Sequence, residues 1–129
     1  MTKEYKYNTY EEAMKAVKGN LKHFEKVNPL VQTPEMALKM VKKWGGNFQF
    51  VRPDLQTPEM ALIAVKRNPC NFQFVRPDLQ TLEMAEIAVR WWGRNIEYVR
   101  KDLLTSELAM IAVRRDGWAL YPRNGFGGG

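Results

Sequence analysis

A fixed period of 24 residues governs this chain. Shifted on itself by that interval, it aligns Thr9, Thr33, Thr57, Thr81 and Thr105, each followed two residues later by a glutamate: Glu11, Glu35, Glu59, Glu83 and Glu107. Alanine recurs four residues after each threonine (Ala13, Ala37, Ala61, Ala85, Ala109) and valine eight after it (Val17, Val41, Val65, Val89, Val113). A repeat of this length predicts a stacked array in which each unit buries its apolar face only against its neighbours. The expected fold is all-α: an α-solenoid of about five two-short-helix units, 9–32, 33–56, 57–80, 81–104 and 105–124, in a single domain 1–124. The Gly-rich end, 125–129, reads as a flexible tail.

The first half of a unit reads as an α-helix. Thr33 is a suitable N-cap, Pro34 suits the first helical position, and Glu35 complements the helix dipole. Met36, Ala37, Met40 and Val41 share one side of the helical wheel, opposite Glu35 and Lys42. Termination is expected near Trp44-Gly45, Asn68-Pro69 and Trp92-Gly93, where Gly or Pro stops propagation. The second half, Asn47 to Arg52 before Pro53, fits either a short helix or a strand with alternating Phe. The spacing of Phe48, Val51 and Leu55, repeated as Phe72, Val75 and Leu79, favours the helix. The unit is too short for the tetratricopeptide repeat of about 34 residues, and the strand signature of leucine-rich repeats is missing. The end units differ from the middle. The first has Glu12 where the three middle units have Met and carries Lys22, His23 and Lys26, as a polar cap would, while Trp118 and Tyr121 are expected to close the core at the other end.

The stretch Gln56-Thr57-Pro58-Glu59-Met60-Ala61-Leu62-Ile63-Ala64-Val65-Lys66-Arg67-Asn68 resembles the short helical repeats of unknown function found in phages, giant viruses and some bacteria, whose units read roughly QTPEMALxAVKxNGxALxYV. The resemblance covers about residues 9 to 120. It implies a helical solenoid and a viral or phage origin, and brings no catalytic residues. A second resemblance, in geometry alone, is to leucine-rich repeat variant proteins, which alternate an α-helix with a 3₁₀ helix. Where the repeat pattern has Asn then Gly at the helix end, this chain has Trp44-Gly45 and Trp92-Gly93, large aromatics where a small polar residue normally serves.

Lys and Arg number 20 against 14 Asp and Glu, a formal net charge of +6 that favours acidic partners. No apolar run approaches the roughly 18 residues of a membrane span, the beginning lacks the apolar stretch of a secretory signal, and the lone Cys70 cannot staple a fold. A soluble, cytoplasmic protein without membrane contacts is expected. One histidine, His23, and no second His or Cys at ligand spacing argue against catalysis, a metal or a cofactor. Asp54, Asp78 and Asp102 recur as a metal ladder might, yet a Pro-Asp turn with Arg two residues earlier explains the first two.

Nine residues after each threonine stands a cation, Lys18, Lys42, Lys66, Arg90 or Arg114, usually with Lys43, Arg67 or Arg115 beside it. Stacking aligns these in a row, although glutamates on the same side of the wheel leave a solvated face as the plainer reading. A second row, Arg52, Arg76 and Arg100, can grip carboxylates or phosphates, or pair with Asp54, Asp78 and Asp102. Trp44, Trp91 and Trp92 complete the candidates for partner binding. Adjacent Trp91 and Trp92 cannot share one helical face, so at least one is expected at the surface, beside Arg90 and Arg94. The expectation is therefore a non-catalytic repeat protein that binds a protein partner with an acidic surface, in the setting of the resemblance a phage-encoded inhibitor or adaptor acting on a host protein. The alternative is RNA or DNA binding through the Lys/Arg rows.

Overall fold

A computed structural model describes residues 4–117, and these form a helical array. Five α-helices of equal length recur, one per unit: α1 (Tyr10–Gly19), α2 (Pro34–Lys43), α3 (Pro58–Arg67), α4 (Leu82–Trp91) and α5 (Ser106–Arg115). Each starts where its threonine accepts a hydrogen bond from the backbone N–H three residues on, as Thr57 Oγ1 does from Met60 at 3.1 Å. Ten residues are too few for a stable isolated helix. Stability comes from stacking, and the residues that stack are the periodic ones. Ala13, Ala37, Ala61 and Ala85 are fully buried, flanked in the inner units by Met36, Met60 and Met84 and by Val41, Val65 and Val89.

The second half of the unit is helical, and the helix is of the 3₁₀ type. Leu21–Lys26, Gly45–Phe50, Pro69–Phe74 and Gly93–Tyr98 each make two 3₁₀ turns, followed by a single turn at Pro29–Val31, Pro53–Leu55, Pro77–Leu79 and Lys101–Leu103. Among the described residues no strand forms; the extended N-terminal segment makes one isolated bridge, Tyr7 to Val27. A 3₁₀ helix has three residues per turn, so positions i, i+3 and i+6 lie on one side. Gly45, Phe48 and Val51 are buried on that side in one unit, and Gly93, Ile96 and Val99 in another. The two-helix unit expected from the sequence is thus an α-helix followed by 3₁₀ turns. The proposed closure by Trp118 and Tyr121 and the tail 125–129 lie outside the described residues.

A buried amide ties the two halves together. Asn47, Asn71 and Asn95 donate through Nδ2 to Met40, Ala64 and Ala88 carbonyls, each seven residues back near the end of the same unit's α-helix, at 3.2, 2.9 and 2.9 Å. Each of these carbonyls also accepts the backbone N–H four residues on, from Trp44, Asn68 and Trp92, so the amide is a second donor that ties the 3₁₀ helix to the α-helix. His23 holds the same place in the first unit, with Nδ1 3.0 Å from Ala16 O. A carbonyl only accepts, so the ring proton sits on Nδ1. The single histidine is therefore a structural clamp.

Glutamines and arginines then join unit to unit. Gln32 donates to Phe50 O and accepts from Arg52 N, both at 2.8 Å. Gln80 repeats this with Tyr98 O and Arg100 N, whereas Gln56 turns to Val51 O in its own unit. Adjacent units meet at equivalent positions: Arg115 Nε donates to Trp91 O, 24 residues back. Successive helices therefore run the same way, with all their C-terminal ends on one edge.

The amide clamp predicts a pH-dependent defect. In Asn71→Asp, a carboxylate faces the Ala64 carbonyl, and stability at pH 7 should fall by on the order of 3 kcal/mol. The folded-state pKa of that aspartate is raised, because only its protonated form can donate. The deficit relative to the parent should be full above the raised pKa and shrink as pH falls toward the ordinary aspartate value of about 3.9. Urea denaturation at pH 7 and pH 4 measures it, and a pH-independent difference contradicts the clamp.

Candidate binding edge

Every α-helix has an acidic residue in its first turn and ends in cations of the basic row: Lys18, Lys42 and Lys43, Lys66 and Arg67, Arg90, then Arg114 and Arg115. Cations there complement the negative end of the helix dipole, which accounts for part of the row without any partner. Parallel stacking separates the two signs only in part, because a first-turn glutamate of one helix can reach a last-turn cation of the helix before it. Among the described residues one cation of this row, Lys66, is ion-paired, to Glu83 of the next unit at 3.7 Å, with both side chains more than half exposed. Such a pair contributes about 1 kcal/mol at most.

The three candidate tryptophans stand on the same edge. Trp44 is 41% exposed, Trp91 47% and Trp92 37%. Trp44 and Trp92 sit where the α-helix ends and the 3₁₀ helix begins, a position that other units fill with a capping residue. Asn20 Oδ1 accepts from Lys22 N and Asn68 Oδ1 from Cys70 N, whereas Trp44 and Trp92 make no side-chain cap. Asp116, in the same place after α5, accepts from Gly93 N at 2.8 Å. Gly93 is needed for that approach, since a Cβ there would lie 2.6 Å from Ala112 O. The Trp44 indole folds back over Gly46, where a Cβ would come within 2.7 Å of Cζ2. Trp92 instead joins Trp91, Cys70 and Arg115 around a shallow depression of about 420 Å³.

The other candidates are placed differently. Arg52, Arg76 and Arg100 lie at the unit junctions, where each Nε pairs with Asp54, Asp78 or Asp102. Each Nη1 donates to a proline carbonyl of the preceding unit: Pro29 at 3.1 Å, Pro53 and Pro77 at 2.8 Å. These arginines staple the stack, and the recurrent aspartates are their counter-ions. Arg94, expected at the surface beside Trp92, is only 6% exposed and leaves the group of surface cations. Sequence reading missed the clamp of Asn47, Asn71 and Asn95, although its period of 24 was visible. It also missed Phe74 and Tyr98, exposed aromatics one unit apart on the 3₁₀ turns.

Among the described residues no helix is long and apolar enough to cross a membrane. The family described as a domain of unknown function (DUF4116) matches twice, over residues 33–80 and 57–104, each match taking in two units and sharing one. No curated protein and no solved structure matches the chain.

Replacing Trp92 separates the cap from the indole. Trp92→Asn restores a cap of the Asn68 kind and should be more stable than Trp92→Ala by about 1 kcal/mol. Thermal denaturation of the two variants checks this, and equal stabilities would show that the position does not use a cap.

Proposed function

This chain belongs to the DUF4116 family, and we propose that it is a non-catalytic binding protein whose contact surface is the edge formed by the helix C-terminal ends. The observation that carries this reading is the exchange at one repeat position. Asn20 and Asn68 cap the following 3₁₀ helix there, while Trp44 and Trp92 forgo the cap and leave a large indole half-exposed. Local stability does not ask for such an exchange. Half-exposed indoles among cations suit an interface, where Trp and Arg dominate binding energy. The cations Lys42, Lys43, Lys66, Arg67, Arg90, Arg114 and Arg115 select an acidic protein surface. Arg52, Arg76 and Arg100 act within the stack. The inhibitor or adaptor role suggested by the phage resemblance agrees with a small rigid array that works by occupying a partner's surface.

Affinity capture from a lysate of the source cells, with and without nuclease, tests the class of partner, and purified variants then test the surface. Reversal of Lys42, Lys66 and Arg90 to Glu should weaken binding of the captured protein more than tenfold, about 1.4 kcal/mol, without loss of helix content. Capture abolished by nuclease, together with a log K that falls by nearly one unit of slope per phosphate contact, would replace the protein partner with RNA or DNA.

A further inference from the structure

We infer that the ligand of this edge is an extended acidic segment that crosses the stack, seating one apolar side chain in the Trp91–Trp92 depression and another against Trp44. This deepens the binding reading above and rests on it. Equivalent positions of adjacent units meet, as Arg115 and Trp91 do, so residues 44, 68 and 92 form a row that crosses three units. Packed helices lie roughly 8–10 Å apart, which puts Trp44 and Trp92 about 16–20 Å from one another. An extended chain, rising about 3.3 Å per residue, covers that distance in about five or six residues.

Charge and hydrogen bonding between the anchors fit the same occupant. Lys66 and Arg67 lie between them, both exposed, and the exposed Lys66–Glu83 pair is weak enough to be exchanged for a ligand carboxylate. Asn68 stands at the midpoint. Its Oδ1 already accepts from Cys70 N, which leaves its amide N–H groups to donate. An extended segment has backbone carbonyls to accept them, whereas a helix spends its own internally. Across the same span a helix would need about eleven to thirteen residues.

Selection from a random peptide library of about 16 residues on the immobilised intact chain reads the ligand chemistry directly. Enriched peptides should be acidic, with two apolar residues about five or six positions apart. Their affinity should fall about tenfold or more with Trp44→Asn and separately with Trp92→Asn, variants in which the cap is supplied. Neutral or basic peptides, or apolar spacings of a helix, overturn the inference. Sensitivity to Trp92→Asn without sensitivity to Trp44→Asn removes the crossing segment and leaves the edge as a binding surface. Indifference to both and to the triple charge reversal removes both readings. An absence of enriched peptides overturns the extended segment alone, because the captured partner is then read by its folded surface.

Discussion

A buried amide that donates to a carbonyl in the last turn of the α-helix closes each of the three inner units, and the rest of the array depends on it. An α-helix of ten residues leaves unsatisfied carbonyls at its end, and the chain must turn there into a 3₁₀ helix on the same core. Asn47, Asn71 and Asn95 hold that turn by adding a second donor to a carbonyl that already accepts the backbone N–H four residues on, and His23 does so in the first unit. Once the turn is set, the apolar residues of both helices face the neighbouring unit. The Ala positions allow the helices to stack, while Gln32, Gln80 and the Arg–Pro staples bind one unit to the next.

One consequence of parallel stacking is that chemistry which is local in a helix becomes a property of a whole edge. Cations placed for the dipole of one short helix become a line of positive charge when five such helices end together. The first unit takes little part in the aromatic decoration of that edge, keeping Asn20 as a cap, and the middle unit keeps Asn68. Indoles enter at Trp44 and at the Trp91–Trp92 pair. The basic row therefore has an explanation within the fold, whereas the indoles do not, which is why they carry the functional reading and the cations only qualify it.

Much of the fold was legible because the relevant signals are local and repeated. Thr33, Pro34 and Glu35 mark a helix start by their own chemistry, and Met36, Ala37, Met40 and Val41 mark its buried face. The second half was harder. Its three-residue spacing begins at Gly45 or Pro69, residues that do not register as apolar, and the alternation of Phe48 and Phe50 imitates a strand. Exposure of a tryptophan was legible from the adjacency of Trp91 and Trp92, but the burial of Arg94 was not, since a charge next to an exposed aromatic gives no local sign of being covered. The role of Arg52, Arg76 and Arg100 depended on carbonyls 23 residues away, a distance that only the stack makes short.

Hydroxyl-radical footprinting of the chain with and without its captured partner tests most directly whether this edge is the contact surface, since indoles and phenyl rings report their own exposure. Oxidation of Trp91 and Trp92, and of Trp44, should fall in the complex, while that of Phe74 and Tyr98 on the 3₁₀ turns stays as it is in the free chain. Protection of Phe74 and Tyr98 with the tryptophans still reactive would place the partner on the other surface and contradict the assignment of function to the helix ends.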